Sequence, residues 1–85
     1  MVKYNTEMWM YRRWERVDDA RYYAVYIEQD LTGEWILRRI WGGINKSTGS
    51  ALITPCSDRL NAIALLENVA KTRRSHRYTE VNNIN

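Results

Sequence analysis

The sequence predicts an α+β domain, a small antiparallel β-sheet of four to five strands with one α-helix packed across one face. Two patterns carry the prediction. Tyr22 to Ile27 is rich in aromatic and β-branched residues, and Glu34 to Trp41 alternates with a period of two, as strands with two unlike faces do. From Ala62 to Ala70 the apolar residues recur instead at i, i+3, i+4, i+7 and i+8, one face of a helix. The length of 85 residues confines both patterns to a single domain. A domain of that size buries about 60–65% of the surface its unfolded chain exposes.

The elements follow in order. Residues 1–7 read as a flexible lead-in, 8–80 as the domain and 81–85 as a flexible tail. Met8 to Val17 is rich in Trp, Tyr and Met without a helical stripe, and Asp18-Asp19 then supplies turn chemistry. Tyr22 to Ile27 is a strand of aromatic and β-branched residues, expected to pair with the first run as a hairpin across Asp18–Ala20. Leu31-Thr32-Gly33 turns the chain again. Glu34 to Trp41 then places Trp35, Leu37, Arg39 and Trp41 on one face and Ile36, Arg38 and Ile40 on the other. Gly42-Gly43 is expected to break that strand, and Asn45 to Gly49 to form a polar connection. Ser50 to Thr54 is a fourth strand closed by Pro55. Ser57 or Asp58 caps the helix, whose face is Ala62, Leu65, Leu66, Val69 and Ala70. Its end carries Lys71, Arg73 and Arg74, cations suited to the negative end of the helix dipole. Arg77-Tyr78-Thr79 returns as a short strand.

Composition narrows the function classes. One cysteine, Cys56, excludes an internal disulfide. The longest apolar run, residues 62–66, is far too short to cross a bilayer, and the N-terminus lacks the apolar stretch of a signal peptide. The expected location is cytoplasmic, without a membrane partner. Catalytic residues are not expected: the single histidine, His76, and Cys56 lack a third orienting group. Asp18, Asp19, Glu28, Asp30 and Glu34 fall at turns and strand ends, where they read as solvated residues. No Cys/His cluster has metal-ligand spacing. Gly43-Ile44-Asn45-Lys46-Ser47 lacks the glycine spacing of a nucleotide-binding loop, so neither a metal nor a cofactor is expected.

Charge points elsewhere. The net charge is +3, but residues 1–37 carry five basic and seven acidic side chains and residues 38–85 carry eight basic and three acidic ones. An anionic partner would therefore dock on the second half. There Arg38, Arg39, Trp41, Lys46, Arg73, Arg74 and Arg77 combine cations that neutralise phosphates with an indole that stacks on a base or sugar. Gly42 and Gly43 remove Cβ atoms beside that ring. The competing reading packs Trp41 under the helix and leaves the arginines as a solvated face.

The same residues resemble the WGR domain, a small module named for a Trp-Gly-Arg signature and found in DNA-dependent poly(ADP-ribose) polymerases and in free-standing bacterial proteins. The resemblance covers roughly residues 10–80. It rests on Arg21-Tyr22-Tyr23, on Trp35 to Gly42 as the signature strand, on Gly49-Ser50 opening the next strand, and on the helix followed by Arg77-Tyr78. It implies a non-catalytic sheet-and-helix module that binds nucleic acid, with DNA ends, nicks or junctions as its targets. By resemblance, Trp41 takes the stacking role and Gly42 permits close approach. The signature arginine is replaced by Gly43, and the glycine two positions later by Asn45. Arg38, Arg39 or Lys46 would then supply the charge. An alternative is a protein-interaction module or homodimer, anchored by Trp9, Tyr11 and Trp14.

Overall fold

A computed structural model describes residues 4–81. Five strands form one antiparallel sheet: β1 (Met10–Arg16), β2 (Arg21–Gln29), β3 (Trp35–Gly43), β4 (Gly49–Pro55) and β5 (Thr79–Val81), in the order β4-β3-β2-β1-β5. A single α-helix, α1 (Arg59–Ser75), packs on β2 and β3, as the sequence predicts. Short 3-10 turns cover Thr6–Met8 and Val17–Asp19. Val81, expected to begin the flexible tail, instead closes β5 against Arg13 of β1; the rest of that tail, 82–85, and the start of the lead-in at 1–3 lie outside the described residues.

The alternation along β3 sets the two faces of the sheet. Leu37 pairs with Ile27 and Thr54, and Arg39 with Val25 and Leu52. Leu37, Val25, Ile27 and Trp14 thus point to the helix side, where they meet Ala62, Leu66, Val69 and Ala70. Tyr78 and Cys56 close the ends of this core. The helix register read from the sequence is therefore correct, with Leu65 half-buried at its margin.

Trp14 is 1% exposed and belongs to the core, so it cannot anchor a partner. Trp9 stays near the surface, held by its Nε1 donating to Gln29 Oε1 at 3.2 Å and by an edge-on contact with Tyr4. Tyr11 lies on the open face against Tyr26.

Gly42 and Gly43 do not break β3. Both lie within it, paired with Tyr22 and Arg21. The chain turns after them, with Asn45 in the left-handed region at φ 64° and Lys46 N donating to Gly43 O at 3.2 Å.

Asp58 caps α1: its Oδ1 accepts from Asn61 N at 2.8 Å, and Asn61 Oδ1 accepts in turn from Ser57 N. The helix ends without glycine. Arg77 adopts φ 66°, Tyr78 N donates to Arg73 O and Arg77 N to Arg74 O. These two bonds satisfy carbonyls that the last turn leaves unpaired and aim the chain into β5.

Candidate functional site

Trp41 and Tyr23 are cross-strand neighbours on the helix side of the sheet. Their rings stack with centroids 5.6 Å apart and planes within 11°. Trp41 is half-buried, neither swallowed by the core nor free of it. The Arg73 guanidinium lies over Tyr23, 4.0 Å from its ring centroid, and over Tyr78, 5.0 Å from its ring centroid. The Arg16 guanidinium is 4.6 Å from the Tyr78 ring centroid and is fixed by Asp19 and His76 O. Rings and guanidinium groups thus succeed one another from Trp41 at the β3 side to Arg16 at the β1 side. Such cation–ring contacts hold charge in place without neutralising it.

Between this ladder and α1 opens a cavity of about 150 Å³ lined by Tyr23, Arg39, Leu65, Asn68, Val69, Thr72 and Arg73. Arg39 reaches it from the sheet and Arg73 from the helix. The Nε atoms of both are buried, and neither has a hydrogen-bond partner among the described residues. No salt bridge joins either to a described carboxylate, whereas Arg12, Arg13, Arg16 and Arg38 are all ion-paired. A buried N–H with no acceptor costs free energy, and at this cavity two guanidinium groups carry that cost together.

The other predicted residues divide. Arg38 lies on the opposite face, bound to Glu28 at 2.6 Å and 4.0 Å from the Tyr26 ring centroid, apart from Trp41. Its guanidinium is held charged by the Glu28 hydrogen bond against the opposing cost of burial. Arg74 is exposed on the β5 side, where its charge helps Arg12 hold the Glu80 carboxyl below the usual range. Arg77 is exposed just past the helix. Lys46 stands beside the end of β3. A Cβ built on Gly43 would fall 2.6 Å from Lys46 Cγ, so the lysine stem occupies the room that a side chain at 43 would need. Gly42 faces the opposite side from Trp41, where a Cβ would lie 3.1 Å from Thr48 O and 3.2 Å from Gly49 Cα. That space is filled by this chain's own backbone.

Sequence reasoning missed Tyr23, Tyr78, Asn68 and Thr72. Tyr23 was legible as a strand aromatic, but its place opposite Trp41 depends on the β2–β3 register, which strand alternation alone does not set. Cys56 and His76 flank the two ends of α1, whose length separates them by roughly 25 Å. Among the described residues no group of three or more His, Cys, Asp or Glu is placed to hold a metal ion. No helix among them is long and apolar enough to cross a membrane.

The WGR domain family matches residues 10–85, from the first strand to the last residue of the chain. The chain belongs to the WGR domain family. No curated protein and no solved structure matched it. WGR domains are nucleic-acid-binding modules rather than catalysts, and the matched residues include Trp41, Gly43, Lys46, Arg39 and Arg73.

Proposed function

We propose that this WGR domain binds DNA at ends or nicks, with Trp41 stacking on a sugar or base and Arg39, Arg73 and Lys46 meeting phosphates. The observation that carries the reading is the pair of guanidinium groups, Arg39 and Arg73, that share one cavity beside the Tyr23–Trp41 stack and lack acidic partners. Unneutralised arginines beside a half-open aromatic ring suit a strand terminus, where a sugar face is no longer covered by its neighbour and a phosphate is near. Lys46 stands in for the signature arginine: its stem fills the space over Gly43 and brings a cation to the same end of β3. Arg74 and Arg77, at the helix terminus, extend the footprint to outer phosphates. Arg38, locked to Glu28 on the other face, takes no part.

The test is binding to nicked, blunt-ended and covalently closed duplex at low and moderate salt. The proposal expects affinity for nicked or blunt duplex above that for the closed one, falling steeply with salt as counterions are released. Lys46→Ala should lower the slope of log K against log salt by about one, and Arg39→Gln should weaken binding of the nicked duplex by about tenfold or more. Equal, salt-insensitive binding to all three duplexes contradicts it.

A further inference from the structure

Trp41 has one ring face left to offer. Tyr23 stacks on it from β2, with the two planes within 11° of each other, so the free face of the indole looks away from β2 and over β4. A ligand that stacks on Trp41 therefore arrives from the β4 side.

β4 leaves that approach open. Ser50 pairs with Trp41 and Leu52 with Arg39, so both side chains stand on the helix side of the sheet beside those two residues. The helix packs on β2 and β3 and leaves both exposed. Ser50 is too small to cover an indole, and Leu52 is 48% exposed next to the Arg39 guanidinium. Ala51 and Ile53 alternate to the opposite face, where they neighbour Ile40 and the Glu28-bound Arg38.

Cations bracket the same stretch of β3. Lys46 folds over Gly43 at one end, and Arg39 stands at the other, positions about 13 Å apart along the strand with Trp41 midway. Ring face, small hydroxyl side chain and half-exposed leucine thus lie between two positive charges. A nucleotide has the matching order, a sugar and base between phosphates. An apolar peptide on the same ledge would bring no acceptor to the buried Arg39 Nε, whereas a phosphate brings one.

Building on the DNA-binding function proposed above, we propose that Ser50 and Leu52 form the subsite for the nucleotide stacked on Trp41. Its ring lies on the free indole face over Ser50 and packs an edge against Leu52, with Lys46 and Arg39 meeting the phosphates on either side. The strand enters over β4, and the β4 residues of the opposite face take no part.

Matched substitutions on the two faces of β4 test the subsite, with binding of nicked and covalently closed duplex measured for each. Ser50→Tyr places a ring across from Trp41, where it competes for the free indole face. Aromatic cross-strand pairs stabilise sheets, so this variant should fold and yet bind nicked duplex about tenfold more weakly. Ala51→Tyr, one residue on and facing the other way, should bind like the wild type. Leu52→Ser should weaken binding about fivefold through lost apolar contact, and it serves if Ser50→Tyr does not fold. Ile53→Ser, at a side chain 56% exposed on the opposite face, should have no effect. In the wild type, nicked duplex should shift the methyl NMR signals of Leu52 and leave those of Ile53 in place. A wild type that binds no nicked duplex overturns the DNA-binding function and the subsite together. Wild-type binding with Ser50→Tyr and Leu52→Ser unimpaired, equal losses from the two faces, or shifts at Ile53 in place of Leu52 overturn the subsite alone.

Discussion

Gly49 and Trp14 show how individual residues set the site's frame. A Cβ on Gly49 would lie 2.8 Å from the Trp41 carbonyl oxygen, a backbone atom that cannot turn aside. Gly49 is therefore glycine because β3 and β4 approach closely beside the signature residues. Gly49→Ala should cost about 1–3 kcal/mol in urea unfolding, by the overpacking it forces, and should displace Trp41. Trp14 is the largest fully buried side chain. Trp14→Ala should cost about 3–5 kcal/mol, enough to unfold a marginal domain of this size, whereas Trp9→Ala, on a 36% exposed ring, should cost far less. Thermal or denaturant melts of the two variants side by side separate a core role for Trp14 from a binding role. Composition alone shows four tryptophans; it does not say which is core. Alternation places Trp35 and Trp41 on one face, but Trp14 lies in a run of mixed polarity whose inward phase depends on its pairing with Tyr23 and Glu80.

At the scale of elements, strands and helix were legible because their periods are distinct, and the ends were legible where side chains act locally. Asp58 as N-cap needs only the next three residues to be recognised, and it caps as predicted. The place of the helix end was legible from the cations Arg73 and Arg74, which fall in its last turn; the residue that turns the chain was not, since the left-handed position is Arg77 and glycine is the usual occupant. Arg77→Gly should relieve that conformation and raise stability by about 0.5–1 kcal/mol, net of glycine's greater freedom when unfolded. It also removes an outer cation, so the same variant should be more stable in a thermal melt and bind duplex more weakly.

β5 is held to β1 partly by Arg12, whose hydrogen bond to Glu80 is the main cause lowering that carboxyl's pKa, against the opposing effect of burial. A carboxylate whose folded pKa is depressed adds stability at pH above its unfolded value and loses it as the pH falls through the folded one. Wild-type stability should therefore decline as pH drops below the ordinary glutamate range. Glu80→Gln should be less stable near neutrality and should show a shallower decline. Chemical unfolding of both proteins across that acidic window checks the sign.

For the whole molecule, the charge asymmetry along the chain becomes an asymmetry of pairing. Most arginines of β1 and β3 are matched with acids, while Arg39 and Arg73 meet at one cavity without them. The sequence contained the basic residues but not their convergence. Arg39 and Arg73 are 34 positions apart, and only the packing of α1 on β2 and β3 brings them together. Gly43 in the signature position was legible as a departure from the family pattern. Its physical companion, Lys46 folded over it, required the left-handed turn at Asn45. The family was legible because the aromatic strand, the signature strand and the closing helix recur in order across nearly the whole chain.

The proposed DNA contact puts the half-buried indole of Trp41 against the nucleic acid, beside Arg39 and Arg73. Tryptophan fluorescence of the wild type and of Trp41→Phe during titration with a short nicked duplex tests it most directly. Quenching that saturates in the wild type and is absent or much reduced in a folded Trp41→Phe is the predicted result; equal quenching in both proteins, or none in the wild type under conditions where duplex is bound, would contradict it.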